Sequence, residues 1–133
     1  MTATADDSSS TNSLLATITD ALLDKHGIDI KAMHVTELTS VADYFVFATG
    51  QTRRHTETLS DAVVDAVKAA GDEVLGVEGR ESAQWILVDT GDIIVHLFLA
   101  DAREHYAIEK LWMDAPTTTF DPTTEPPNNT ASV

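Results

Sequence analysis

The chain contains no cysteine, which excludes disulfides, thiolate metal sites and cysteine nucleophiles. Basic residues are scarce: eight Lys and Arg stand against 22 Asp and Glu, a net charge of −14 over 133 residues. Five of the acids (Asp6, Asp7, Asp114, Asp121 and Glu125) lie outside residues 13–113, yet that body still carries 17 acidic and 8 basic side chains. A body this acidic is repelled by a phosphate backbone, which argues against broad nucleic-acid binding. It suits a basic protein partner, or it serves solubility alone. No apolar run approaches the ~20 residues of a membrane span. The opening MTATADDSSSTN has neither the basic nor the apolar block of a secretory signal. A cytoplasmic protein is the expectation.

Proline is absent until residue 116, and all four prolines fall in residues 115–133 among many Thr and Asn. That segment has no apolar period and is expected to be a disordered C-terminal tail; residues 1–12 are expected to be a disordered N-terminal one. One domain over 13–114 remains, enough for a modest core. Its apolar period changes several times. Leu14, Leu15, Ile18, Ala21 and Leu22 form one helical stripe, which Gly27 ends. Residues 31–36 and 43–49 read as strands. Residues 53–70 read as a second helix with Leu59, Ala62, Val63, Ala66 and Val67 inward. Strands at 73–77, 84–89 and 92–99 follow, then a helix over about 102–113 whose Asp101 and Glu104 fit a capping box. The order αββαβββα predicts an α/β fold, a mixed β-sheet flanked by helices.

The most informative stretch is VDTGDIIVHLF, residues 88–98. With Thr90-Gly91 as a two-residue turn, Asp89 would face Asp92, Leu87 would face Ile94 and Trp85 would face His96. Ile86, Val88, Ile93, Val95, Leu97 and Leu99 share one face, which must be core. Trp85, Leu87, Asp89, Asp92, Ile94, His96 and Phe98 share the other. Unpartnered buried carboxylates would cost several kcal/mol, so the turn end of that face is expected to be open. Trp, Leu and Phe on an open face have the composition of an interface anchor; alternatively a helix covers the apolar half. In the last helix, Ala107, Ile108, Leu111 and Trp112 fall on one side and Arg103, Tyr106, Lys110 and Met113 on the other. Tyr106 is then either an anchor or a ring lying over a neighbouring strand.

Two chemistries compete with docking. Asp89, Asp92 and His96 could hold a divalent cation, but the imidazole would lie roughly 10 Å from the carboxylates at ~3.4 Å per residue, against the ~2 Å of a nitrogen ligand. Ala48–Thr52 could cradle a phosphate at the following helix, aided by Arg53 and Arg54; with a single glycine it is neither a Walker nor a dinucleotide loop. No serine has a convincing His–Asp partnership. The residues call for no catalytic group, metal or cofactor.

In combination, DYFVFATGQTRRH, GVEGRESAQWILVDTGDIIVHLF and REHYAIEKLWMDAP resemble the ribosomal silencing factor (Iojap-like) family over about residues 13–116. The resemblance implies a nucleotidyltransferase-like fold without the catalytic signature. It also implies a protein that binds the large ribosomal subunit at its protein uL fourteen. Bound there, it would block joining of the small subunit and repress translation when nutrients are short. The family's Trp before its VDxGDxxVH run corresponds to Trp85, its aspartates and histidine to Asp89, Asp92 and His96, and its closing pattern to Arg103, Tyr106, Glu109, Leu111 and Trp112. The family's usual Leu-Asp-Val is replaced here by Met33-His34-Val35. The expected partner-binding set is therefore Trp85, Leu87, Asp89, Asp92, His96, Phe98, Arg103, Tyr106 and Lys110, with a homodimer possible in the free protein. The rival readings are a metal-dependent nucleotidyltransferase and a nucleotide-binding regulatory domain.

Overall fold

The computed structural model describes residues 2–120, with side chains from residue 11 onward. Helix α1 (Thr2–Asp24) leads into strands β1 (Ile28–His34) and β2 (Tyr44–Gly50), helix α2 (Arg53–Ala69) and strands β3 (Gly76–Glu78), β4 (Trp85–Asp89) and β5 (Ile93–Leu99). Helix α3 (Ala100–Tyr106), a 3-10 turn (Ile108–Trp112) and strand β6 (Thr117–Phe120) complete it. The six strands form one sheet in the order β3-β4-β5-β2-β1-β6. Only the central β2–β5 pair is parallel; the others are antiparallel. This is the mixed, helix-flanked sheet expected from the periodicity.

The alternation in β4 and β5 does what a half-buried strand must. Ile86, Val88, Ile93, Val95 and Leu97 are fully buried and meet Ile18 and Leu22 of α1 and Leu59, Val63 and Val67 of α2. The opposite side of the sheet carries a smaller cluster built on Met33, Phe45, Phe47 and Phe98, covered by Ala102, Ile108 and Trp112. Gly50 ends β2 where its own Cβ would come within 2.5 Å of Thr56 Oγ1, so the turn into α2 has room for no side chain.

Both ends differ from the sequence reading. Helix α1 starts at Thr2, so residues 2–12 continue it. That stretch holds neither proline nor glycine, and nothing in it obliges a helix to stop. Thr117–Phe120, read as part of a disordered tail, pairs antiparallel with Ile30–Met33 of β1. Three β-branched threonines and a phenylalanine favour a strand, and Phe120 packs against the main core. The remainder of that tail, 121–133, lies outside the described residues.

The last helix is also not continuous. Ala107 adopts φ 49°, and its N–H closes α3 on the Arg103 carbonyl at 2.9 Å. A residue in the left-handed region ends a helix, so the 100° wheel does not carry across it. Leu111, expected in the core, is 72% exposed, and Arg103, expected outside, is buried. The start differs as well: Leu99 is the cap and no side chain bonds there, so the Asp101–Glu104 capping box does not form.

Candidate docking surface

The β4–β5 hairpin turns on Gly91-Asp92, not Thr90-Gly91. Gly91 has φ +95°, while Asp92 is not at positive φ. Positive φ at the first central residue is the type II′ pattern, which places glycine there. Thr90 N–H donates to the Ile93 carbonyl at 3.0 Å, its hydroxyl to the same oxygen at 2.7 Å, and Gly91 N–H donates to Asp89 Oδ1 at 2.8 Å. The register therefore pairs Trp85 with Phe98, Leu87 with His96 and Asp89 with Ile94. Each β4 residue meets a partner two positions further along β5 than expected, and because the shift is even the two faces keep their membership.

On the second face the rings gather. Trp85 stacks on Phe98 at 5.1 Å and meets Tyr106 at 4.8 Å between centroids. Its indole Nε1–H donates to His96 Nδ1 at 3.2 Å. His96 lies flat on Phe47 at 4.9 Å and takes the edge of Phe45 at 5.4 Å. Aromatic pairs at such distances add about 0.5–1.5 kcal/mol beyond the area they bury. Phe98 and His96 are the buried floor; Trp85, Leu87 and Ile94 are half-buried, and Tyr106 is 48% exposed. Tyr106 is thus both an accessible ring and one that lies over a neighbouring strand. Burial pushes the His96 pKa down to about 4, so the imidazole is neutral near pH 7.

Helix α3 is held in place by Arg103. Its guanidinium donates from Nε and Nη2 to the two Glu109 oxygens at 2.7 and 3.0 Å, and from Nη1 to Thr49 Oγ1 at 2.7 Å. Asp29 lies at 3.8 Å, and Lys31 reaches Glu109 at 3.3 Å. The bidentate bond from Arg103 holds the Glu109 carboxyl below its usual pKa against the opposing effect of burial. Asp29 takes φ 53° where the β1–β2 register breaks.

Of the nine residues expected to meet a partner, the structure brings Trp85, Leu87, His96, Phe98 and Tyr106 onto one face. His96, Phe98 and Arg103 are corrected to interior roles: each is at most 7% exposed and satisfied by neighbours. Their burial comes from Phe47 of the parallel neighbour and from the break at Ala107, neither of which a single strand's pattern reveals. Asp89 and Asp92 sit at the turn, Asp89 capping it and Asp92 exposed. Lys110 lines a different feature, an open cleft of about 500 Å³ with Ile28, Asp29, Arg103 and Glu104. The exposed Leu111 was missed, because the helical wheel placed it inside, whereas Met113, placed on the outer side, is exposed as expected.

Among the described residues no three His, Asp or Glu side chains cluster as a metal site. Three donors at the Gly50–His55 turn are engaged within the protein. Gln51 N–H donates to His55 Nδ1 at 2.9 Å, His55 N–H to Thr52 Oγ1 at 3.0 Å, and Arg53 Nε to the Ser82 carbonyl at 2.9 Å. A phosphate held by these three groups would have to displace those bonds.

Comparison with known proteins gives a consistent result. The family model described as ribosomal silencing factor during starvation matches residues 8–132. A ribosomal silencing factor of Bacillus subtilis is 37% identical over 109 residues, covering 82% of this chain and 92% of that one. One from Chromobacterium violaceum is 41% identical over 93 residues, covering 70% and 76%. A crystal structure of a Chromobacterium violaceum protein superposes with a TM-score of 0.76 at 37% identity, covering 77% of this chain and 85% of that one.

Proposed function

The chain belongs to the ribosomal silencing factor family, and we propose that it docks through the Trp85–Tyr106 face onto the large ribosomal subunit, at protein uL fourteen. The docked protein occupies space that the small subunit needs, so joining is blocked and translation falls when nutrients are short. The action is steric, in the cytoplasm, and makes or breaks no bond. The observation that carries this reading is the half-open ring pair on a rigid aromatic floor: Trp85 and Tyr106 at 4.8 Å, with Phe98 beneath. Trp and Tyr supply large contact area with little rotamer entropy to lose, and they dominate interface hot spots. The acidic turn beside them, Asp89 and Asp92, and the net charge of −14 favour a basic protein surface.

Leu111 and Met113, each 72% exposed, add apolar surface near the end of the same segment. In the free protein this surface supports self-association into a dimer. The loop at Gly50–Arg54, where Gln51 N–H is already bonded to His55 and only one glycine is present, gives the nucleotide reading no comparable support.

The test is a subunit-joining assay. Purified large subunits are incubated with the protein before small subunits are added, and joined ribosomes are followed by light scattering. The expected result is dose-dependent loss of joining with no nucleotide consumed. Full joining at saturating protein would reject the proposal.

A further inference from the structure

We infer that His96 is a positioning residue for docking: it turns the indole N–H of Trp85 inward and leaves a hydrocarbon edge for the partner. The inference rests on the docking reading above and adds to it the chemistry of the surface that Trp85 meets.

The geometry is specific. Stacking on Phe98 sets the plane of the indole but would be met equally by the ring flipped about its Cβ–Cγ bond, which carries Nε1–H to the opposite edge. The directional bond from Trp85 Nε1–H to His96 Nδ1, at 3.2 Å, removes that freedom. An indole nitrogen only donates, so Nδ1 must be the unprotonated acceptor and the imidazole proton must sit on Nε2. His96 is itself held between Phe47, flat against it, and the edge of Phe45, so the acceptor is fixed before any partner arrives. Burial keeps the ring neutral at cellular pH, which keeps the Nδ1 lone pair available.

An aliphatic or phenyl side chain would fill the same space without the desolvation penalty of an imidazole. The imidazole has a use that they lack. When a partner covers Trp85, its N–H loses water; a donor without an acceptor would then weaken binding. Because His96 already accepts that proton, the partner needs no acceptor opposite Trp85. The matching patch on the partner is therefore apolar at this point, with its basic groups placed towards Asp89 and Asp92.

The test compares His96→Phe with His96→Asn in the full chain, labelled with nitrogen-15. The two indole N–H signals are assigned by loss of one in Trp85→Phe, and Trp112 serves as the internal reference. In His96→Phe the Trp85 signal should shift and exchange faster with solvent while that of Trp112 stays. Large-subunit affinity should fall by roughly 3- to 10-fold, the worth of one hydrogen bond. His96→Asn, whose side-chain oxygen can accept the same bond, should restore the signal and the affinity. A folded His96→Phe that keeps the wild-type Trp85 signal, or binds within about twofold of wild type, overturns the inference. Should His96→Phe not fold, a folded His96→Asn that keeps the Trp85 bond but loses binding overturns it equally. Wild-type protein that fails to bind large subunits would instead strike the docking reading, while the indole signals still report on the bond.

Discussion

Replacing Arg103 with methionine should destabilise the protein by about 3 kcal/mol, toward the low end of what breaking a buried pair costs. Arg103 makes a bidentate pair with Glu109 at 2.7 and 3.0 Å and a bond to Thr49 at 2.7 Å, with only 8% of its side chain exposed. Methionine keeps the apolar stem and removes all three donors. Glu109 is then left with Lys31 at 3.3 Å and with 20% of its side chain in contact with water, which softens the loss. For a domain of this size ~3 kcal/mol corresponds to roughly 10 °C in Tm, and it leaves the protein folded if total stability is ~5–15 kcal/mol. Adding Glu109→Gln removes the stranded carboxylate and should recover about 1–2 kcal/mol, because the two sites couple. Urea unfolding at neutral pH, followed by far-UV circular dichroism on the four proteins of the cycle, measures both terms. A loss below about 1 kcal/mol, or strict additivity of the two substitutions, would show that Arg103 is not held as a pair.

Further outcomes are expected. The lowered pKa of His96 means that its stabilising contribution is full above about pH 6.5, declines as the pH falls toward 4 and is gone below, a total of about 3 kcal/mol; urea midpoints of wild type minus His96→Phe across that window should trace the decline. Gly79→Ala should lower stability by ~2 kcal/mol or more, since Gly79 has φ +87° and a Cβ there would lie 2.1 Å from the Trp85 carbonyl oxygen; an unchanged melting curve would show that the 79–85 loop yields easily. Removing residues 117–133 takes β6 from the sheet and Phe120 from the core, so the melting temperature should drop by several degrees, a loss of ~2 kcal/mol; an unaltered melt would make β6 dispensable.

Much of the fold was readable, and the misreadings share a cause. The aliphatic face of β4–β5 was visible because a two-residue period survives any error in register: Ile86, Val88, Ile93, Val95 and Leu97 are all fully buried. The register itself turned on whether Gly91 is the first or second residue of the turn, and the local sequence permits either. At Ala107 the left-handed conformation has no compositional signal, so a continuous wheel exchanged the fates of Arg103 and Leu111. The burial of His96 depends on Phe47, its neighbour in the parallel β2–β5 pair, a contact between residues 49 positions apart. Strand β6 did carry a signal in its threonines, outweighed by the prolines around it. Trp85 and Tyr106 were legible as candidate anchors because ring and polar tip are properties of the residue, not of its surroundings.

The most direct test of the account is co-sedimentation of wild type, Trp85→Ala and Tyr106→Ala with purified large and small subunits. Tyr106 is 48% exposed, so its truncation should leave the melting curve near wild type. The account predicts that wild type pellets with large subunits alone, and that each ring variant binds them roughly 30-fold more weakly, the ~2 kcal/mol or more of a hot-spot truncation. Wild type pelleting with neither subunit, or folded ring variants that bind as well as wild type, would contradict it.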